Sequence, residues 1–167
     1  TVFIPIAEER GIIGPLSQLV LRKATEAARS WPKDLFLSFN LSPSQLVDQN
    51  TGLHILAILD RTGFDPRRLE IEITETGLMN DPASAAQIVE DLRRVGIRVS
   101  LDDFGTGYSS LSYLHKLPLD KIKIDRSFLM DVTQNPRSLE LLKGIVNLSR
   151  PLGLSVTVEG VETFEQL

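Results

Sequence analysis

The feature that most constrains this chain is a regular alternation of short strand-like and helix-like segments. Five segments are rich in β-branched or aromatic residues and bounded by turn residues: 35–42, 69–75, 97–103, 121–125 and 154–160. Helical patterns lie between them, near 15–30, 53–62, 82–95 and 138–150. This alternation predicts an α/β fold with a parallel sheet.

Polar side chains stand at or near the carboxyl end of each predicted strand: Asn40, Glu72, Asp102, Lys123 and Glu159. Strands in a covered parallel sheet are normally almost all apolar, so five such groups need an explanation. The carboxyl ends of parallel strands meet at one edge, where α/β proteins place their active sites. We therefore expect one shared site.

Two architectures fit five strand–helix units. One is a doubly wound five-stranded sheet, and the other is part of a (β/α)₈ barrel, which needs about 250 residues. The chain has 167 residues, opens on TVFIPIAEERG without a strand before it, and stops where a helix begins. We therefore expect residues 1–167 to form a single domain, an incomplete TIM-like (β/α) barrel with parallel strands.

Composition excludes several classes of protein. The chain has no cysteine, so disulfide frameworks and thiolate metal sites are excluded. With 18 basic and 22 acidic residues, it does not have the charge of a protein that binds DNA or RNA polymers. It contains neither a secretory signal nor an apolar run of the roughly 20 residues that cross a membrane. We expect a cytoplasmic domain, whose parent protein could be membrane-anchored.

The densest motif is LDDFGTGYSSLSYL, residues 101–114. Asp102 and Asp103 are adjacent, and carboxylates this close repel each other unless a cation lies between them. Gly105 and Gly107 permit the backbone conformations of a tight loop. Taken alone, the acidic pair also fits a solvated turn that caps the next helix.

The other strand-end residues have structural alternatives too. Glu72 shares a strand face with Glu70 and Thr74, which also fits a wet edge strand. Lys123 shares a face with Asp125, which also fits a simple ion pair. Asn40 and Glu159 could each cap a helix. One shared site explains all five positions together, whereas the alternatives need a separate cause for each.

The site residues supply oxygen ligands without histidine or cysteine, which suits Mg²⁺, Mn²⁺ or Ca²⁺. Several carboxylates together indicate two metals about 3.5–4 Å apart, an arrangement that serves in-line displacement at phosphorus. A lysine in the cluster would position the attacking water or neutralise developing charge. The residues therefore predict metal-assisted phosphoester chemistry.

Five blocks in this order resemble the EAL-domain family of cyclic di-GMP phosphodiesterases: FNLSPSQL, LEIEITET, LDDFGTGYSSLSYL, KIKIDRSF and VEGVET. The resemblance covers essentially the whole chain. It implies a TIM-like barrel that hydrolyses cyclic di-GMP to linear pGpG with two Mg²⁺ or Mn²⁺ ions, in bacterial second-messenger signalling.

The resemblance also implies a role for each matching residue. The implied metal residues are Asn40, Glu72, Asp102 and Glu159, with Asp103 serving the second metal. Lys123 resembles the lysine that holds the catalytic water, and Glu75 resembles the glutamate that steadies the loop after the acidic pair. That loop and the following helix resemble a homodimer contact, and Asp125 is a candidate for substrate binding.

The resemblance further implies segments that the sequence does not contain. The Glu-Ala-Leu motif, with one metal ligand, is expected before residue 1, and a later strand and final helices after residue 167. We therefore expect residues 1–167 alone to be inactive and prone to association. A sensory or GGDEF-type domain upstream is compatible with the family.

Two other functions remain open at this point. One is a catalytically inactive EAL-type module that binds cyclic di-GMP or mediates dimerisation. The other is a receiver-like doubly wound domain, whose acidic pair and lysine would also gather around Mg²⁺.

Overall fold

A computed structural model of the protein describes residues 3–106, 111–130 and 132–166. The described residues form one parallel sheet of five strands in the order β1-β2-β3-β4-β5. The strands are Leu37–Leu41 (β1), Leu69–Thr74 (β2), Arg98–Phe104 (β3), Lys121–Ile124 (β4) and Ser155–Val158 (β5). Each lies within about two residues of a predicted strand.

The strand order decides between the two expected architectures. Each strand pairs with the strand that follows it in the chain, as in a (β/α) barrel. A doubly wound or receiver-like sheet reverses its strand order at a switch point. No such reversal occurs in the described sheet, so both of those alternatives are wrong and the TIM-like prediction is confirmed.

Helices connect the strands as the alternation predicts. Their bounds are Phe3–Glu9 (α1), Ile13–Ala28 (α2), Thr51–Thr62 (α3), Glu75–Asn80 (α4), Pro82–Arg94 (α5), Leu111–Lys116 (α6) and Pro136–Ser149 (α7). The Ser84 N–H donates to the Asp81 carboxylate at 3.1 Å, which caps α5 at its predicted start. None of the described helices is long and apolar enough to cross a membrane.

One face of the sheet is apolar and packs on the helices. Ile71, Val99 and Ile122 are fully buried at the centre of three successive strands. They belong to one hydrophobic cluster with buried residues of the helices, among them Leu21 of α2 and Leu92 of α5. Burying this face stabilises the fold, at about 25 cal/mol per Å² of apolar surface.

The opposite face of the sheet is polar. Period-two alternation brings Glu70 and Glu72 of β2 to this face, together with Lys121 and Lys123 of β4. The ammonium of Lys121 lies 2.7 Å and 2.8 Å from the two carboxylate oxygens of Glu70. We call Glu70 and Lys121 the lower pair, because they precede Glu72 and Lys123 along the parallel strands.

The short helix α4 was not predicted, and it affects a site residue. Glu75 is the first residue of α4, although the strand pattern extended through it. The Gly77 N–H donates to the Thr74 hydroxyl at 3.2 Å, so Thr74 ends β2 and caps α4. Helices of six residues, such as α4 and α6, are too short to show a clear apolar period.

Candidate active site

Three carboxylates converge on one lysine at the carboxyl ends of the strands. The Lys123 ammonium lies 3.1 Å from Glu72 Oε2, 3.0 Å from Asp102 Oδ1 and 2.8 Å from Glu159 Oε1. We call these four residues the upper cluster. The sequence predicted that all four belong to one site, and the structure brings them into direct contact.

The backbone explains why the cluster forms here. Glu72, Asp102 and Lys123 lie on β2, β3 and β4, and Glu159 directly follows β5. The Glu159 N–H donates to the Ile124 carbonyl at 3.0 Å, which continues the pairing of β4 and β5 past the strand end. The next residue, Gly160, has φ +74°, and a Cβ there would lie 2.5 Å from Arg126 Cβ. Glycine therefore allows the two strand-end turns to approach each other.

Lys123 is held in its charged form. Partial burial lowers its pKa, but hydrogen bonds to Glu159, Asp102 and Glu72 outweigh that effect and raise the pKa well above its ordinary value. The side chain of Lys123 is 15% exposed, so the three contacts are only partly screened by water. Lys123 is therefore an ammonium at neutral pH, which donates hydrogen bonds and cannot accept a proton.

Asp103 lies within β3, but its backbone departs from the regular strand conformation. Its φ is +53°, and the register between β3 and β4 shifts between Leu101 and Phe104. A bulge of this kind redirects a side chain next to a site. Partial burial raises the pKa of Asp103, and the nearby charges of Asp102, Asp125 and Glu159 raise it further. Asp103 is therefore close enough to these three carboxylates to be repelled by their negative charge.

Glu75 connects the start of α4 to the loop after β3. It is 6% exposed, and its Oε2 accepts a hydrogen bond from the Gly105 N–H at 3.2 Å. Its Oε1 is buried without a hydrogen-bond partner among the described residues. This contact joins Glu75 to the loop after β3, and the role of Glu75 in steadying that loop stays a prediction. Residues 107–110, in the middle of the predicted dimer contact, lie outside the described residues.

Asn40 and Asp125 lie at the margins of the cluster. Asn40 is exposed on β1, in register with Glu72. It lines a mainly apolar groove of about 610 Å³, together with Phe3, Phe39 and Thr74. The Asp125 carboxylate accepts from the Ser127 N–H at 2.9 Å, so Asp125 caps the short helix Arg126–Leu129. Its predicted contact with substrate stays a prediction.

Ser38 is a further residue of the site, and it was not predicted from the sequence. Its hydroxyl donates to Glu72 Oε1 at 2.5 Å, on the side of the carboxylate away from Lys123. Period-two alternation was a usable signal, because residue 38 shares a strand face with Asn40. The pattern does not show which of two glutamates on the next strand the hydroxyl would contact.

The donor set agrees with a hard divalent cation, since carboxylate and amide oxygens are the ligands that Mg²⁺ and Mn²⁺ prefer. In the described residues, however, the cation at the centre of the carboxylates is the Lys123 ammonium. No three acidic or histidine side chains in those residues are arranged so that they could hold a metal ion by themselves. The metal assignments therefore stay predictions.

Comparison with known proteins identifies the family. A model of the EAL domain matches residues 1–167. The chain belongs to the EAL domain family. Its relatives include the cyclic di-GMP phosphodiesterase NbdA of Pseudomonas aeruginosa, 40% identical over 169 residues, which cover 99% of this chain and 22% of NbdA. The chain spans about a fifth of the length of the curated relatives it matches.

Solved EAL structures have the same fold. The PaMucR phosphodiesterase in complex with c-di-GMP matches with a TM-score of 0.90 and 36% identity, covering 98% of this chain and 68% of that one. A calcium and cyclic di-GMP complex of Klebsiella pneumoniae BlrP1 matches with a TM-score of 0.83 and 29% identity, covering 92% of this chain and 39% of that one. The sequence-based prediction of an EAL domain is confirmed.

Proposed function

We propose that this EAL domain hydrolyses cyclic di-GMP to linear pGpG, with Mg²⁺ or Mn²⁺ bound at the upper cluster. The observation that carries the proposal is the convergence of Glu72, Asp102 and Glu159 on Lys123 at the carboxyl ends of the strands. Two findings from relatives support the choice of substrate: NbdA is named a cyclic di-GMP phosphodiesterase, and PaMucR was solved with c-di-GMP.

The residues that would hold the first metal are Asn40, Glu72, Asp102 and Glu159, and Asp103 would serve the second. All five supply oxygen donors at one edge of the sheet. Bound metal ions would polarise the phosphate and lower the pKa of a bound water. The adjacency of Asp102 and Asp103 supports this assignment, because a divalent cation would relieve the repulsion between two neighbouring carboxylates.

Lys123 would act through its charge and its N–H donors. As an ammonium it would orient the attacking water and stabilise the negative charge that develops on the phosphate oxygens. Glu75 would hold the loop after β3 through Gly105, and Asp125 would contact the substrate. The apolar groove beside Asn40 supports binding of a ligand with flat aromatic bases, since Phe3 and Phe39 line it.

The proposal extends to the cellular location of the domain, its oligomeric state and its partner domains. We expect it to act in the cytoplasm, where its nucleotide substrate would be found. We expect a homodimer through the loop and helix after Asp103. The chain spans only about a fifth of its curated relatives, which supports a partner domain, sensory or GGDEF-type, in the same protein.

The test is hydrolysis of cyclic di-GMP by the longest natural protein that contains these residues, with Asp102→Asn as the variant. The change removes a charge with almost no change in volume, so the fold should remain intact. We expect turnover to fall by about 10²–10³-fold with an unchanged thermal midpoint. Glu140→Gln, on the exposed side of α7, is the matched acid-to-amide control.

Two outcomes would contradict the proposal. Normal turnover of Asp102→Asn at saturating Mg²⁺ would exclude the metal role of the upper cluster. Binding of cyclic di-GMP by the unmodified protein, without hydrolysis in Mg²⁺ or Mn²⁺, would instead support the alternative of an inactive EAL-type module.

A further inference from the structure

Glu72 has a different hydrogen-bond donor on each of its two oxygens. Oε2 faces the Lys123 ammonium at 3.1 Å, and Oε1 accepts from the Ser38 hydroxyl at 2.5 Å. The side chain of Glu72 is only 10% exposed, so water has little access to either oxygen. The two donors together fix the rotation of the carboxylate about its last bond.

We infer that Ser38 is a positioning residue for the metal site: it holds Glu72 so that one defined oxygen, Oε2, faces Asp102, Lys123 and Glu159. The inference rests on the proposed function, since it gives Ser38 a role through a carboxylate proposed to bind metal. Oxygens of a metal-binding carboxylate commonly have such partners outside the ligand shell, which orient them.

The Ser38 hydroxyl contacts Glu72 and not Glu70, whose two oxygens both face Lys121. Ser38 lies in register with Glu70, so both glutamates of β2 are close to its strand. Both oxygens of Glu70 already accept from Lys121, at 2.7 Å and 2.8 Å. Glu72 receives one donor from Lys123 and has an oxygen left for the serine. The Ser38 hydroxyl thus contacts the oxygen of Glu72 that does not face Lys123, and so joins the upper cluster.

A purely structural role for Ser38 predicts a different result from a positioning role. If the hydroxyl only satisfies a buried oxygen, its removal lowers stability and leaves the affinity for a cation unchanged. If it orients Glu72, its removal allows the carboxylate to rotate, and the affinity for a divalent cation falls. A direct measurement of metal binding distinguishes the two and does not depend on turnover.

The experiment measures Mn²⁺ binding by titration calorimetry in the longest natural protein that contains these residues. We expect Ser38→Ala to weaken Mn²⁺ binding by about 10–100-fold. Ser38→Thr keeps the hydroxyl at an exposed strand position, where a β-branched residue is well accommodated, and should restore binding close to the unmodified level.

Ser100→Ala is the matched control. Ser100 lies on β3 in register with Glu72, and it is fully buried. Its hydroxyl has no hydrogen-bond partner among the described residues. The same substitution beside the same glutamate therefore removes no contact with Glu72, and Mn²⁺ binding should stay unchanged.

Each outcome decides the inference. Weaker Mn²⁺ binding in Ser38→Ala, with normal binding in Ser38→Thr and Ser100→Ala, supports the positioning role. Normal Mn²⁺ binding in Ser38→Ala, with or without a lower thermal midpoint, overturns it and leaves the proposed function intact. An unmodified protein that neither binds Mn²⁺ nor hydrolyses cyclic di-GMP overturns both.

Discussion

The lower pair and the upper cluster each contain a lysine of β4 that contacts a glutamate of β2. These two contacts are separated by one step of the strand alternation. Glu70 in the lower pair is 2% exposed, and the side chain of Glu72 in the upper cluster is 10% exposed. Residue type and burial therefore do not distinguish them.

The balance of charge does distinguish them. In the lower pair, one carboxylate has Lys121 on both oxygens and Arg98 at 4.0 Å, and the Phe36 ring lies 5.2 Å and 4.3 Å from the two cations. In the upper cluster, three carboxylates share one ammonium. The negative charge of Glu70 is fully neutralised by its neighbours, as expected of an ion pair that only stabilises the fold. The upper cluster keeps an excess of negative charge, which can attract a cation.

The largest expected difference is in hydrolysis. Lys123→Met should lower turnover at saturating Mg²⁺ by about 10²–10⁴-fold, because it removes a positioned charge from the reaction. Replacing the lower pair with apolar residues, Glu70→Leu with Lys121→Met, should change turnover by less than about threefold, since buried ion pairs tolerate such replacement. Steady-state rates on cyclic di-GMP measure both. A large loss in the double variant would show that the lower pair takes part in catalysis.

The next effect is on stability and its response to metal. Lys121→Met alone leaves Glu70 buried without its main partner and should lower the free energy of unfolding by about 3 kcal/mol. Lys123→Met should also destabilise the metal-free protein, because three carboxylates then repel each other. Urea denaturation with and without Mg²⁺ separates the two: Mg²⁺ should restore the Lys123 variant and leave the Lys121 variant unchanged. Equal restoration of both would contradict the distinction.

A smaller effect on stability is expected from the Phe36 ring, which contacts Lys121 of the lower pair and the neighbouring Arg98. Phe36→Leu removes the cation–π contacts with Arg98 and Lys121 and should lower stability by about 1 kcal/mol. Since these two cations lie outside the upper cluster, the affinity for Mn²⁺ should remain unchanged. Thermal melts and calorimetry on the same preparation measure the two quantities. A change in metal affinity would mean that the lower pair and the upper cluster influence each other.

The smallest effect concerns Asp103 and pH. Its pKa is raised in the folded protein by partial burial and by neighbouring carboxylates, so its ionised form destabilises the fold, and this cost disappears as the pH falls through the raised pKa. In metal-free protein, Asp103→Asn should raise the thermal midpoint by about 1–2 °C at pH 7 and have no effect in acid. A gain that is independent of pH would reflect the preference of Asn for φ +53° instead.

Much of the fold could be predicted from local patterns. The helical pattern near 82–95 and the five β-rich segments are properties of neighbouring residues, and the structure confirms them. The helix α4 was not predicted, because the β-like pattern continued through Glu75. The Thr74 hydroxyl accepts from the Gly77 N–H, and this helix cap ends the strand at Thr74.

The candidate site could be predicted only in part. The position of each charged residue near a strand end was visible in the sequence, and so was membership of the EAL family. The contact of Ser38 with Glu72 was not, since Glu70 and Glu72 lie on the same face of the next strand and the pattern does not choose between them. The separate surroundings of Asp102 and Asp103 depend on a register shift between β3 and β4.

The sequence by itself determined which residues alternate to which face and which chemical groups stand at the strand ends, because both follow from the two-residue period of a strand. Only the tertiary structure decided how those groups are partnered. Glu70 and Glu72 have the same side chain and the same face, yet one is neutralised by a single lysine and the other shares its lysine with Asp102 and Glu159. That difference arises from strand order and register, which bring charges that are far apart in the sequence within about 3 Å of one another. At this distance electrostatic attraction and hydrogen bonding are strong.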